Sequence, residues 1–216
     1  MGTQGNAVGF SKDLLQTTRA NANDPSDLQY QRRHAAMKLL HHFEKNVLSR
    51  IKRWMHELDN ERLTKGHYTS YSANTQARFN GAASTHDDFV HYQGLATAIA
   101  VGYGEAGRPH IDRNDDPDGY TYIIQLSGQS GHTRFPQLNL DVALGVGDVI
   151  IAPTASLLHH SLSIGTVQQD RITAVFYTCR HVSSLAGTVD EDGFIAGGVF
   201  DGIPADSLFE FVMDEL

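Results

Sequence analysis

Two histidines and an aspartate have the types and the spacing of a metal site. His110 and Asp112 stand two residues apart. In an extended chain such residues project to the same side, so their imidazole and carboxylate can converge on one cation. Two adjacent histidines, His159 and His160, follow about 50 residues later. Two imidazoles and one carboxylate are the donor set that non-haem Fe(II) uses, with positions left open for small ligands.

The choice between the two adjacent histidines depends on which face of their strand is buried. Alternation places His160 on the same side as Leu158 and Leu162, and His159 on the opposite side with Ser161. The mostly apolar side is expected to face the interior. The pattern therefore favours His160 as the third ligand, and His159 is the alternative.

Arg171 and Thr173 form a second pair with i, i+2 spacing, at the start of a β-rich run. A guanidinium and a hydroxyl on one side of a strand suit the distal carboxylate of a dicarboxylic acid, because arginine pairs with carboxylate through two parallel hydrogen bonds. The alternative is an edge-strand arginine that pairs with an acid such as Asp170.

The order of these motifs resembles a known family. His110-Ile111-Asp112, a strand histidine and Arg171-Ile172-Thr173 are similar, over roughly residues 95–180, to the 2-oxoglutarate- and Fe(II)-dependent dioxygenases. The resemblance implies a double-stranded β-helix, or jelly roll. It also implies iron bound by His110, Asp112 and His160, and 2-oxoglutarate held by Arg171 and Thr173.

Within that superfamily, residues 171–177 resemble the closing strand of the TET/JBP-like enzymes, which oxidise methylated pyrimidines. The resemblance implies a dioxygenase whose substrate is a methylated base in nucleic acid. Two alternatives stay open: a hydroxylase of a free small molecule or protein side chain, and a non-catalytic jelly-roll module that binds a ligand.

Short apolar runs separated by turn residues are predicted to position these side chains. The predicted strands are 95–103, 120–126, 138–144, 148–152, 157–164 and 171–178. No helix-length pattern lies between them, which favours an antiparallel sandwich or barrel over a βαβ sheet. The predicted fold class is mainly β with flanking helices. We expect a flexible arm at 1–26 and one domain at 27–216, with a helical layer at 27–66 and a jelly-roll core at about 90–182.

The helical layer is predicted from apolar residues that recur every three or four positions, which places them on one stripe of a helix over 27–58. These residues are Leu40, Phe43, Val47, Ile51, Trp54 and Leu58. Residues 28–66 also carry nine Lys or Arg and four acids, a local charge of +5 in a chain of net charge -8. Such a basic segment can meet a phosphate backbone, although a solvated helix surface is the alternative.

Composition restricts the class of protein. With 216 residues, of which 40% are hydrophobic, the chain can bury a core without disulfides, and Cys179 is its single cysteine. No apolar run approaches the ~18 residues of a membrane helix, and the start lacks the pattern of a signal peptide. These features predict an intracellular protein, in the cytoplasm or nucleus, without a membrane partner. They do not indicate an oligomeric state.

Overall fold

The computed structural model describes residues 7–9, 38, 40–66, 69, 92–103, 108–162, 171–180, 183, 188–189, 192 and 195–196. The chain divides into two compact units, one formed by Met1–Ala7 with Ala98–Arg180 and one by Val8–Thr97 with His181–Leu216. Most of the predicted arm at 1–26 and the predicted helix start before residue 38 lie outside the described residues. No helix in the described part of the chain is long and apolar enough to cross a membrane.

Antiparallel strands build the unit that contains residues 98–180. The strands are β2 (Ala98–Tyr103), β3 (Thr121–Ser127), β4 (Gly131–Phe135), β5 (Leu140–Leu144), β6 (Val149–Ala152), β7 (His160–Leu162) and β8 (Ile172–Tyr177). A short strand, β1 (Ala7–Gly9), precedes them in the chain, and only its first residue belongs to this unit. The other unit contains β9 (Thr188–Val189) and β10 (Ile195–Ala196), which pair with each other.

The strand order of this unit is that of a jelly roll. The larger sheet runs β2-β8-β3-β6 and the smaller sheet runs β5-β4-β7. His110 forms a single antiparallel bridge with His159, the residue before β7. The segment around His110 therefore lies beside β7, at the place of a fourth strand in the smaller sheet. The chain therefore passes back and forth between two facing sheets, so the predicted mainly β, double-stranded β-helix fold is confirmed.

The core of this unit lies between the sheets. Its buried members come from both of them: Ile123, Phe135, Leu144, Ile150 and Ala152. Partly buried Val142, Leu157 and Val175 pack against this cluster. Inward positions alternate with outward ones along β4, where Gly131, Thr133 and Phe135 are buried.

Each of the six predicted strands is present, but β4 was not predicted. Its sequence, GHTRF, has only one large apolar residue among five. Such a strand gives no hydrophobic alternation to detect. Gly131 and Thr133 are small because their inward side borders the site described below, where Thr133 lines a cavity.

The helical part of the other unit differs from the prediction in its register. A π-helical turn, Glu44–Leu48, precedes helix α1 (Ser49–Leu58), and residues 60–66 are helical after a break at Asp59. A π turn holds one residue more than an α turn, so it rotates the following residues around the axis. The buried residues are Leu40, Leu48, Ile51, Met55 and Leu63.

Two residues of the predicted stripe are exposed. Trp54 is 50% exposed and Leu58 is 71% exposed, whereas the predicted stripe placed both inside. The stripe prediction was right for Leu40 and Ile51 and wrong for Trp54 and Leu58. Ile51, Trp54 and Leu58 follow the π turn in the same α-helix, so the turn rotates them together and does not account for the difference between them; Leu58 is the last residue of α1.

Candidate metal centre

A cross-strand pair brings two imidazoles side by side. The backbone N–H of His110 donates to the carbonyl of His159 at 3.0 Å, and the N–H of His159 donates to the carbonyl of His110 at 3.0 Å. Residues paired in this way project their side chains to the same face. The two ring centroids are 4.4 Å apart, with the ring planes tilted by 52°.

Asp112 lies between the two imidazoles. Its Oδ1 is 3.5 Å from His110 Nε2, and its Oδ2 is 3.5 Å from His159 Nε2. The backbone N–H of Asp112 donates to the carbonyl of Thr154 at 3.1 Å, which fixes this segment against the turn after β6. Both imidazoles therefore present the same ring nitrogen to one carboxylate.

Backbone carbonyls determine which ring nitrogen carries the proton. His110 Nδ1 lies 2.7 Å from the carbonyl oxygen of Arg108, and His159 Nδ1 lies 3.0 Å from that of Leu157. A carbonyl can only accept, so in each ring Nδ1 carries the hydrogen and Nε2 keeps its lone pair. This is the arrangement by which proteins orient a histidine toward a metal.

The electrostatic environment also keeps His159 neutral. Burial lowers the pKa of His159, and this outweighs the carboxylate of Asp112, which acts in the opposite direction. A neutral imidazole is the form that binds a metal ion.

His110, Asp112 and His159 form a group that can hold a metal ion. Their ligand atoms all lie within 4.8 Å of one another. Two nitrogen donors with free lone pairs and one carboxylate fit a divalent transition metal, and three protein ligands leave further coordination positions open. In the described residues, this is the one group of histidine, cysteine, aspartate and glutamate side chains with such geometry.

Of the two adjacent histidines, the structure brings His159, and not the favoured His160, close to Asp112. His160 begins β7 and is paired with Arg134 of β4, on the opposite side of the strand. The predicted assignment of His159 and His160 to opposite faces of the strand was right, but the apolar face, which carries His160, is not the face that lines the cavity. Ser161 and His159 share the side that lines the cavity, because a polar site occupies it.

Arg171 is buried, as its predicted role requires. It is 3% exposed, and its Nε and Nη2 have no hydrogen-bond partner in the part of the chain that the structure describes. Burial lowers the pKa of Arg171. A guanidinium keeps its charge even when buried, so these unpaired donors are suited to an anion. The predicted alternative partner, Asp170, lies outside the described residues.

Two glycines make room for the predicted anion-binding pair. A Cβ at Gly131 would lie 2.7 Å from Arg171 Nη1, and a Cβ at Gly102 would lie 3.0 Å from Thr173 Oγ1. Gly102 is directly opposite Thr173 in the pairing of β2 with β8. Any side chain at position 131 would therefore displace the guanidinium from its present position beside β4.

A cavity of about 560 Å³ joins the histidines and Asp112 to Thr173. Its other lining residues include Ala100, Ile123, Thr133, Ser161, Val175 and Tyr177. This volume is typical of a small-molecule site. Arg171 is not among the lining residues, but it lies two positions before Thr173 on the same side of the chain.

Asp115 is a cavity residue that the sequence did not reveal. It follows the predicted metal ligand Asp112 in a segment rich in aspartate. Such a composition is typical of a turn, so the sequence did not distinguish Asp115 as a site residue. Burial raises the pKa of Asp115 to about 7, and the charge of Asp112 adds to the rise. Thr121 Oγ1 donates to its Oδ2 at 3.3 Å. Burial and the charge of Asp115 together raise the pKa of nearby Tyr177 to about 12.

Comparisons with known proteins give similarity at the level of fold. No protein-family model and no curated protein matches the chain. Solved structures similar to it include an RmlC-like cupin protein from Desulfovibrio desulfuricans, with 18% identity over 37% of this chain and 69% of that chain, at a TM-score of 0.29. A cupin 2 conserved barrel domain protein from Salinispora arenicola CNS-205 is 17% identical over 41% of this chain and 66% of its own, at a TM-score of 0.30. NgTET1 in complex with 5mC DNA is 15% identical over 55% of this chain and 42% of its own, at a TM-score of 0.34.

Proposed function

We propose that the chain is an Fe(II)- and 2-oxoglutarate-dependent dioxygenase. The observation that carries this proposal is the convergence of His110, Asp112 and His159, with both Nε2 atoms turned toward one carboxylate. A buried arginine without an anionic partner in the described residues lies in the same barrel. A metal site and an unpaired interior cation are the two binding elements that this chemistry requires.

His110, Asp112 and His159 would hold the iron. The carbonyls of Arg108 and Leu157 fix the two imidazoles in the required tautomer, so little rearrangement is needed on binding. Half of the His110 side chain is exposed, whereas His159 is buried. The metal would therefore lie at the boundary between the interior and the mouth of the cavity.

Arg171 and Thr173 would hold the far carboxylate of 2-oxoglutarate. Arg171 Nε and Nη2 can donate to the two carboxylate oxygens, and the Thr173 hydroxyl can donate a third hydrogen bond. The absence of a side chain at Gly131 leaves room for the guanidinium in this position. When bound, iron and 2-oxoglutarate supply the oxidation: oxygen is consumed, 2-oxoglutarate yields succinate and carbon dioxide, and a C–H bond of the substrate becomes C–OH.

The remaining cavity residues would bind the substrate and exclude water. Val175, Ile123 and Ala100 supply apolar walls, while Asp115 and Tyr177 supply polar contacts. In the metal-free chain, burial raises the pKa of Asp115 to about 7, and its carboxyl oxygens can accept hydrogen bonds from a substrate.

The substrate that we propose is a methylated base in nucleic acid. The resemblance of residues 171–177 to TET/JBP-like enzymes supports it, and so does the local charge of +5 in residues 28–66. In that segment Arg50 and Arg53 are exposed, so they are accessible to phosphate groups. Labelled DNA should bind at low salt and be released as salt rises. Absence of binding at low salt would exclude the nucleic-acid substrate but not the dioxygenase.

Formation of succinate from 2-oxoglutarate tests the dioxygenase proposal. We expect iron-dependent succinate with the unaltered chain and none above background with Asp112→Ala. Asp141→Ala is the matched control, because Asp141 is a carboxylate of the same unit that pairs with Arg134 at 2.8 Å and contacts none of the three proposed ligands. The proposal is refuted if succinate does not form, or if Asp112→Ala forms it at the unaltered rate.

A further inference from the structure

Gln125 is a buried polar residue of β3 whose amide orientation is fixed. It is 0% exposed, and its Nε2 donates to the carbonyl of Gln129 at 2.7 Å and to that of Gly128 at 3.4 Å. The reverse orientation would set the amide oxygen against these two carbonyl oxygens. Oε1 must therefore point away from the turn, where it is buried and has no hydrogen-bond partner among the described residues. An acceptor in this state favours a ligand that donates to it.

The strand register places this acceptor beside the proposed anion site. Gln125 is directly opposite Thr173 in the pairing of β3 with β8, so both side chains project to the same face. Arg171 lies two positions before Thr173 on that face. The turn to which Gln125 donates leads into Gly131, where an added Cβ would lie 2.7 Å from the Arg171 guanidinium. Three buried polar atoms without partners in the described chain, Gln125 Oε1 and Arg171 Nε and Nη2, therefore lie at one end of the barrel.

We infer that this end of the site prefers a carboxylic acid that carries a hydrogen-bond donor, such as a hydroxyl, close to its carboxylate. The inference rests on the proposed function in one respect, namely that Arg171 binds a carboxylate. Arg171 supplies donors for the carboxylate oxygens, and Gln125 Oε1 accepts from the hydroxyl. An unsubstituted carboxylate offers acceptors only and leaves Gln125 Oε1 without a partner. Gln125 is thus a specificity-determining residue: a hydroxy acid should compete with 2-oxoglutarate better than its unsubstituted analogue.

Glutarate and 3-hydroxyglutarate are the matched pair of probes. They have the same length and charge, and the hydroxyl of 3-hydroxyglutarate is equally distant from its two carboxylates, so it is presented whichever end binds Arg171. Neither acid has the keto group that would bind a metal. Calorimetric titration of the full chain without added metal therefore measures this end of the site alone.

We expect 3-hydroxyglutarate to bind about 3- to 10-fold more tightly than glutarate, the factor that one net hydrogen bond supplies. In Gln125→Leu this ratio should fall to one. Because the leucine also removes the bonds to the 128–129 turn, the ratio measured with the unaltered chain is the primary test.

Equal affinities of the unaltered chain for the two acids would overturn the inference and leave the proposed function intact. A ratio that persists in a folded Gln125→Leu would also overturn it, since the hydroxyl would then have another partner. If neither acid binds, Arg171 takes no carboxylate, and both the inference and the proposed cosubstrate site fail.

Discussion

Replacing Gly131 by alanine isolates the role of the Arg171 guanidinium. The new Cβ would lie 2.7 Å from Nη1 and 2.8 Å from Cζ, whereas ordinary contacts begin at 3.4 Å. The guanidinium must therefore move by about 0.7 Å. A shift of this size breaks one of two parallel hydrogen bonds to a carboxylate, and a charge-assisted bond contributes about 1.5–3 kcal/mol. We expect the Kd for 2-oxoglutarate to rise about 10- to 100-fold.

Calorimetric titration of 2-oxoglutarate into the iron-loaded protein, without oxygen, measures this change. The affinity for iron should stay the same, because the Arg171 side chain is what the new Cβ meets, and no metal ligand is among its neighbours. Gly119→Ala is the control, since its Cβ would meet Asp116 at an ordinary 3.4 Å. If Gly131→Ala binds 2-oxoglutarate as tightly as the unaltered chain, Arg171 does not hold the carboxylate, and the reasoning from its buried donors is wrong.

Three further predictions concern the metal ligands, the cavity acid and the helical unit. His159→Ala should weaken metal binding at least ~100-fold in a competition with a chelator, and His160→Ala should change it less than ~3-fold; the opposite ranking would support His160, the ligand that the sequence favoured. The pKa of Asp115 in the folded chain, about 7, exceeds the ordinary 3.8. Between these values the folded state therefore holds an additional proton on Asp115. The contribution of Asp115 to the free energy of unfolding of the metal-free protein, measured as the difference from Asp115→Asn, should fall by up to about 2 kcal/mol as pH rises from 4 to 7, after discounting for partial exposure. The lowered pKa of His159 acts in the opposite direction in both proteins, so it does not enter this difference. Denaturant titrations that give the same pH dependence for both proteins would contradict the assignment. Asp59→Ala should cost about 1 kcal/mol in urea unfolding, because Asp59 Oδ1 accepts from the backbone N–H of Arg62 and caps residues 60–66; a loss below a few tenths would show that the cap is not stabilising.

The sequence predicted the parts of the site that depend on short spacings. His110 with Asp112, and Arg171 with Thr173, are i, i+2 pairs, so any extended backbone places each pair on one side. An antiparallel sandwich or barrel was predictable as well, because turn residues separate the strands at regular intervals. The more specific jelly roll was implied by the resemblance to the dioxygenases.

The parts that the sequence did not predict depend on contacts between distant segments. Whether His159 or His160 lies near Asp112 depends on which face of residues 159–162 is turned toward the cavity. Local hydrophobicity indicated the other face, because the face that lines the cavity carries the polar residues His159 and Ser161. β4 was missed for a related reason: of its three inward residues only Phe135 is a large core residue, whereas Gly131 leaves room for Arg171 and Thr133 lines the cavity. The π turn at Glu44–Leu48 shifted the helix register without any residue type that marks it.

The single bridge between His110 and His159 has a consequence for the stability of the site. Two mutual backbone hydrogen bonds join these ligands, and one further bond ties Asp112 to Thr154. A cation shared by the two segments would add a cross-link between them, so its removal should speed amide hydrogen exchange at 110–112 and 159 while the strands β3 and β8 stay protected. Binding of the cation would then disfavour local opening of the two segments that carry the ligands, while the strands of the barrel would be unaffected.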